Sequence, residues 1–133
     1  MLTQPRMTRT RNGDLFGAPI AGGTSVFTGS IVALDAEGNL VPGQISTTLT
    51  RPGLCMDTAN NAGAAGDMIA EYDVAACAQF KNSGGGDEIT RADIGKDCFI
   101  IDDETVAKTD GASTRSRAGI VADVDDGGVW VQF

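Results

Sequence analysis

The chain has 133 residues, 18 acidic and 10 basic side chains, a formal net charge of −8 and no histidine. This length suits one ordinary domain, but only 29 residues are Leu, Ile, Val or Phe, so the expected core is thin and contact with another chain would stabilise it. The acidic balance argues against nucleic acid as a partner, and the missing histidine excludes Ser-His-Asp and Cys-His catalysis as well as zinc sites that use histidine.

The N-terminal segment is basic in an otherwise acidic chain. Residues 1–13 contain Arg6, Arg9 and Arg11 and no acidic side chain, whereas the rest of the chain carries a net charge of −11. Thr, Pro and Gly separate the arginines without a periodic apolar face, which is typical of an extended arm that an acidic neighbour or another subunit receives. We therefore expect an extended basic N-terminal arm over residues 1–20 and a single β-rich domain over residues 21–133. A frayed terminus is the alternative interpretation.

Strand signals dominate from Ala21 onward. Val and Ile together number 18 and Thr 13, against 6 Leu, and short apolar runs are separated by Gly, Asn and Asp. Residues 30–34 and 40–42 enclose a Gly-containing turn and predict a β-hairpin. In residues 68–80 every even position is apolar, and this period of two predicts one strand or two strands with a kink.

The second half of the chain contains the one plausible helical segment. Residues 82–86 predict a flexible loop, and residues 87–94 predict one or two helical turns with Asp87 as the cap and Gly95 as the stop. After this segment, two further short strands are predicted, at residues 98–101 and 105–107.

The C-terminal residues carry the clearest hairpin signal. Asp-Asp-Gly-Gly at 125–128 separates alternating runs at 118–124 and 129–133. Alternation places Trp130 on the opposite face from its two valine neighbours, as either a core anchor or a subunit-contact anchor. Together with the other elements this gives seven to nine short strands. We expect an all-β fold, a small barrel or sandwich of short antiparallel strands with at most one short helix.

The cysteines suggest no metal or disulfide chemistry. Cys55, Cys77 and Cys98 are spaced 22 and 21 residues apart. Their odd number argues against a disulfide framework, and the spacing fits no common zinc pattern. We expect three free thiols, buried or half-buried, in a reducing compartment.

Two acidic clusters are the remaining candidates for chemistry: Asp102-Asp103-Glu104, and Asp123 with Asp125 and Asp126. The second cluster lacks the terminal Glu of a calcium loop and has Gly127 where a ligand belongs. Turn geometry explains aspartates in a Gly-rich hairpin. We therefore predict no enzyme activity, no catalytic residue, no metal ligand and no cofactor. A small carboxylate-based cation-binding or hydrolytic domain is the alternative.

Several segments of the chain point together to a family: residues 80–83 (FKNS), 89–96 (ITRADIGK), 101–111 (IDDETVAKTDG), 114–116 (TRS) and 118–131 (AGIVADVDDGGVWV). With residues 29–35 (GSIVALD) and 40–43 (LVPG) upstream, they resemble the small head proteins of tailed bacteriophages known as capsid cement or decoration proteins. The similarity covers about residues 20–133, and its second half is the more specific part.

This resemblance implies a structural phage protein without catalytic residues, which binds the outer surface of the major capsid shell and stabilises it by bridging neighbouring subunits. It implies synthesis in the host cytoplasm, a place on the capsid exterior of the virion, and the major capsid protein as partner. A homotrimer is the expected self-association, with a dimer as the alternative. Another phage structural component, a tail or connector protein, is the alternative function within the same class.

Neither nucleic acid nor a membrane is expected as a partner. The chain is acidic, and no apolar run approaches the roughly 18 residues that cross a bilayer. The interface candidates are Arg6, Arg9 and Arg11, whose charge suits an acidic neighbour, and Trp130, which buries a large area at low entropic cost.

Overall fold

The chain folds almost entirely into short β-strands. The computed structural model describes residues 1, 3–7, 9, 11 and 13–133; strand makes up 46 % of it and helix 5 %, and no helix reaches seven residues. The expected all-β class is confirmed. The described residues form twelve strands, which is more than the seven to nine expected.

In chain order the strands are β1 (Leu15–Pro19), β2 (Thr24–Val26), β3 (Ile31–Leu34), β4 (Leu40–Pro42), β5 (Thr50–Cys55), β6 (Ala59–Asn61), β7 (Ile69–Asp73), β8 (Cys77–Asn82), β9 (Asp97–Ile100), β10 (Thr105–Ala107), β11 (Arg117–Asp125) and β12 (Gly128–Gln132).

The N-terminal half forms an antiparallel sheet in the order β1-β7-β5-β3-β4, beside a separate β2–β6 pair. The chain that leaves β1 reaches the far edge of this sheet, where Ile20 bridges Leu40 and the Ala21 N–H donates to the Leu40 carbonyl oxygen at 3.1 Å. The sheet is therefore curled around its own small core. The buried members of this core are Ala18, Ile20, Val26, Val32, Leu40, Cys55, Ala70 and Tyr72.

The C-terminal half forms a closed five-stranded barrel in the order β10-β8-β12-β11-β9. Neighbouring strands are antiparallel except for β10 and β8, which are parallel. The β11–β12 hairpin contains an irregularity between Val121 and Asp123 that shifts its register. The barrel interior is filled by Phe80, Ile89, Cys98, Ile100, Val106, Ala118, Val121, Val129 and Val131.

Strand β3 connects the two cores because both of its faces are buried. Val32 packs in the curled sheet, while Ile31 and Ala33 pack with the barrel residues. The Ile31 N–H also donates to the Asp103 carbonyl oxygen of the barrel at 2.7 Å. Burial on both faces explains why this strand is a continuous apolar run rather than an alternating one.

The main strand predictions are confirmed. β3 pairs with β4 and β11 pairs with β12, both antiparallel, as the two predicted hairpins require. Residues 68–80 contain two strands, β7 and β8, which belong to different sheets. The predicted strands at residues 98–101 and 105–107 correspond to β9 and β10.

The segment at residues 87–94 is helical only in part, and its predicted cap at Asp87 is wrong. The chain makes two single 3-10 turns, Gly85–Asp87 and Arg91–Asp93, whose N-caps are Gly84 and Thr90 rather than Asp87. Between the turns the main chain is extended.

Asn82 explains this interruption. Its side-chain amide donates to the Ile89 carbonyl oxygen at 2.8 Å, and its Oδ1 accepts the Ile89 N–H at 2.9 Å. Ile89 is thereby held in the barrel core with 1 % of its surface exposed. A continuous helix would need the same two main-chain groups for its own hydrogen bonds.

Part of the predicted arm at residues 1–20 belongs to the sheet. Leu15–Pro19 is strand β1, paired antiparallel with β7, and Ile20 is fully buried. The Val74 N–H donates to the Asp14 carbonyl oxygen at 2.8 Å, which fixes the start of the pairing. The described residues before Asp14 are exposed, and the name "arm" is used below for residues 1–13.

Candidate interaction surface

Trp130 lies on the outer face of the barrel. Its neighbours Val129 and Val131 are fully buried in the barrel core, whereas Trp130 is half-buried on the opposite face. Its indole N–H donates to Oδ2 of Asp125 at 2.9 Å. The sequence left open whether Trp130 is a core anchor or a subunit-contact anchor. Its side chain lies outside the barrel core, so Trp130 remains an interface candidate.

Asp125 organises this corner of the barrel. Its Oδ1 accepts the side-chain amide of Gln79 at 2.6 Å and the main-chain N–H of Gly127 at 2.8 Å. Together with the hydrogen bond from Trp130, which has the largest effect, these hydrogen bonds hold the pKa of Asp125 below its ordinary value. The Trp130 ring is thus fixed to the hairpin by a charged acceptor.

An open groove of about 620 Å³ lies beside the hairpin turn and is called the hairpin groove below. Its lining residues come from β8, the segment between the two 3-10 turns, and the β11–β12 turn: Lys81, Asn82, Glu88, Ile89, Thr90, Val124, Asp125, Asp126, Gly127 and Gly128. Three of these are acidic. Lys81, the one basic lining residue, is already bonded to Glu104 at 2.6 Å.

The three candidate arginines of the arm are exposed. The Arg11 guanidinium lies 4.2 Å from the centre of the Phe16 ring, and the Arg51 guanidinium lies 4.6 Å from the same centre. Cation–π contacts of this kind hold the base of the arm against β1. The contact involves Phe16 and Arg51, which the sequence alone does not single out.

The basic side chains divide into two groups. Six of them form ion pairs with carboxylates: Lys81, Arg91, Lys96, Lys108, Arg115 and Arg117. The other four, Arg6, Arg9, Arg11 and Arg51, form no ion pair with any described residue. The positive charge that is not neutralised within the molecule is therefore concentrated in the arm and at its base.

The first acidic cluster stabilises a turn and an ion pair. Asp102 Oδ1 accepts the Glu104 N–H at 2.9 Å, and Glu104 pairs with Lys81. In the second cluster, Asp123 pairs with Arg91 at 3.1 Å. Within the part of the chain that the structure describes, no group of three or more Cys, Asp or Glu side chains is placed to hold a metal ion.

Two carboxylates flank the groove-lining residues 88–90. Asp93 is the buried one, with 4 % of its side chain exposed; it accepts the Thr90 N–H at 2.9 Å and lies 3.4 Å from the Lys96 ammonium. The Thr90 hydrogen bond is the main reason that the pKa of Asp93 is lowered. This pair is not among the residues singled out from the sequence; the signal that could have found it is the spacing of three residues between Thr90 and Asp93, as in a capping box.

On the other side of residues 88–90, Asp87 connects the first 3-10 turn to the loop after β10. It accepts the Thr109 hydroxyl at 2.5 Å and the Arg115 guanidinium at 3.1 Å. Both hydrogen bonds lower the pKa of Asp87, and the bond from Thr109 has the larger effect. The Nε of Arg115 is buried and has no hydrogen-bond partner among the described residues.

The cysteines differ from one another in exposure. Cys55 and Cys98 are buried free thiols, but Cys77 is exposed, which corrects the expectation that all three are at least half-buried. Burial raises the pKa of the Cys55 thiol and raises that of Cys98 to about 11. Cys77 lies at an odd position of the alternating run, on the outer side of the barrel wall.

Several apolar side chains are exposed where β1, β5 and β7 lie beside one another. Ile69 is 67 % exposed, and Leu15 and Met56 are each nearly half exposed. Leu15 lies opposite Asp73 next to the arm, whereas Ile69 lies opposite Pro19 at the other end of β1. The exposed apolar side chains are therefore separated along the strands, and Leu15 is the one close to the base of the arm.

No helix among the described residues is both long and apolar enough to span a membrane. No family model, curated protein or solved structure matches this chain. The resemblance to capsid cement proteins stays a prediction.

Proposed function

We propose that this chain is a capsid decoration protein of a tailed bacteriophage, which binds the exterior of the major capsid shell and stabilises it by bridging neighbouring subunits. On this proposal the protein is non-enzymatic, needs no cofactor, associates with itself and works on the virion. The segments at residues 80–131 that resemble cement proteins supply the first support.

The observation that carries the proposal is the separation of charge. Six basic side chains of the folded body are neutralised by carboxylates, whereas Arg6, Arg9 and Arg11 of the arm are exposed and have no ion partner among the described residues. A basic arm on an acidic body suits contact with an acidic neighbouring protein. It does not suit packaged DNA, which the body would repel.

The exposed surfaces also favour a protein that works by contact. Trp130 is fixed on the outer barrel face, Leu15 is exposed beside the arm, and Ile69 is exposed at the other end of the β1–β7 pair. Each of these surfaces is small, so high occupancy would depend on many copies that bind a repeating lattice together.

The test uses undecorated shells assembled from the major capsid protein of the parent phage. Purified protein is expected to co-sediment with these shells and to raise the temperature at which they disrupt, because bridging contacts stabilise the bound state. An unrelated acidic protein of similar size serves as the control. A chain that stays in the supernatant and leaves shell disruption unchanged would refute the proposal.

A further inference from the structure

The hairpin groove holds carboxylates that the molecule itself does not use. Glu88 and Asp126 line it, and neither side chain forms an ion pair or a hydrogen bond with a described residue. Asp125 adds a third negative charge and fixes the Trp130 ring next to the groove. An incoming guanidinium would meet carboxylates with which it can form charge-assisted hydrogen bonds.

The complementary charges lie in the arm. Arg11 is held over Phe16 at 4.2 Å, whereas Arg6 and Arg9 make neither an ion pair nor a ring contact with the described residues and are exposed. They can therefore pair with a carboxylate without first breaking an existing bond. Arg6 stands five residues beyond the attached Arg11, which in extended form corresponds to about 17 Å, so the free part of the arm can extend from the body toward a neighbouring molecule.

The position of the arm favours a second copy over its own groove. The base of the arm is attached to strand β1 at Phe16, while the groove belongs to the barrel, and in the structure Arg6 and Arg9 are exposed rather than seated in it. Two bodies of charge −11 would repel each other. An arm of charge +3 placed in the partner's groove offsets this repulsion.

We infer that the arm of one copy docks in the hairpin groove of a second copy, with Arg6 and Arg9 paired to Glu88 and Asp126 of that copy. The contact joins two different surfaces, so it is heterologous and closes into a ring when the rotation permits. This inference deepens the self-association that the proposed function includes, by naming its two surfaces.

Sedimentation velocity of the isolated full chain tests the contact without shells. The double variants Arg6→Glu/Arg9→Glu and Glu88→Lys/Asp126→Lys are each expected to weaken self-association by about tenfold or more, since like charges then face each other. The chain that carries all four substitutions is expected to recover association, because the signs are complementary again. Raising the salt concentration is expected to weaken association of the natural chain.

A matched control shows whether the place of the reversed charges matters or only the change in net charge. Glu37→Lys/Asp110→Lys makes the same charge change at two exposed acids outside the groove and is expected to preserve association. If the reversal at Glu88 and Asp126 disturbs folding, as a lowered melting temperature would reveal, the isosteric pair Glu88→Gln/Asp126→Asn replaces it and is expected to weaken association as well.

Three results would overturn the inference: a chain that is monomeric at all concentrations, groove variants that associate like the natural chain, or a fourfold variant no better than the doubles. Co-sedimentation with shells is measured separately, and the groove variants, which leave the arm unchanged, distinguish loss of self-association from loss of a contact between the arm and the shell. Conversely, a chain that associates as described but ignores shells would refute only the proposed function.

Discussion

The indole N–H of Trp130 donates to Oδ2 of Asp125 at 2.9 Å, which links the middle of β12 to the last residue of β11. The other carboxylate oxygen accepts Gln79 of β8 and the main chain of Gly127. One charged acceptor therefore connects the hairpin turn to two barrel strands. Hydrogen bonds to a charged acceptor are stronger than those between neutral groups.

Replacing this acceptor should loosen the hairpin. Asp125→Ala is expected to lower the melting temperature by about 3–6 °C, because three donors lose their partner, and to shift the fluorescence of the single tryptophan. Glu37→Ala is the control, since the Glu37 side chain lies outside the groove, is exposed and has no partner among the described residues, and it should melt like the natural chain. Equal melting temperatures for the two variants would contradict the role given to Asp125.

Acid should destabilise the fold through three carboxylates with lowered pKa values: Asp87, Asp93 and Asp125. Because each pKa is lower in the folded chain than in the unfolded one, the associated stability is present above the ordinary value of 3.8 and is lost as the pH falls through the folded values. The free energy of unfolding is thus expected to fall below about pH 5. Denaturant titrations between pH 7 and pH 2 measure this free energy of unfolding. Asp93→Asn should make its fall with decreasing pH less steep. An equally steep fall in the variant and in the natural chain would contradict the contribution of Asp93.

Asn82 offers a test of the interrupted helical segment. Asn82→Ala leaves the N–H and carbonyl of the buried Ile89 without their partners, so the free energy of unfolding should fall by about 1–3 kcal/mol. Asn60→Ala is the control, because the Asn60 side chain is exposed and makes no hydrogen bond with a described residue. Chemical denaturation compares the two. Similar losses in both variants would show that Asn82 does not hold this segment.

The parts of the fold that the sequence predicts are those with a local signal. The period of two in residues 68–80 and the Asp-Gly turn before β12 each depend on a few consecutive residues, and both led to correct strands. At Cys77 two local signals disagree about exposure. Cysteine as a residue type favours burial, whereas the odd position in the alternating run favours the outer face, and the side chain is exposed.

The parts that the sequence does not predict depend on contacts between distant residues. Ala59–Asn61 is a polar stretch that becomes strand β6 by pairing with β2, and the buried Asn61 amide donates to the Ile20 carbonyl oxygen at 3.0 Å. Glu88 and Asp126 are brought to one groove only by closure of the barrel. No spacing rule connects two residues of this separation.

The reactivity of the three cysteine thiols should follow their exposure, since Cys77 is exposed and Cys55 and Cys98 are buried. A maleimide at pH 8 is expected to label Cys77 in the native chain and to leave Cys55 and Cys98 unlabelled, because both are buried and burial raises the pKa of each thiol. Mass spectrometry of the digested protein counts the labels, and unfolding in guanidinium should expose all three. Rapid native labelling of Cys98 would contradict the closed barrel.

Removal of residues 1–13 tests the role of the arm on the capsid. The truncated chain keeps Asp14, whose carbonyl accepts the Val74 N–H, and Arg51 stays beside Phe16, so the melting temperature should hardly change. Binding to undecorated shells is expected to weaken and to lose most of its dependence on salt, because screening acts on the removed charges. The full-length variant Arg6→Gln/Arg9→Gln/Arg11→Gln keeps the length and removes the charge. If this variant binds shells like the truncated chain, the charge of the arm is the cause. Shell binding unchanged in both variants would show that the arm takes no part in shell binding.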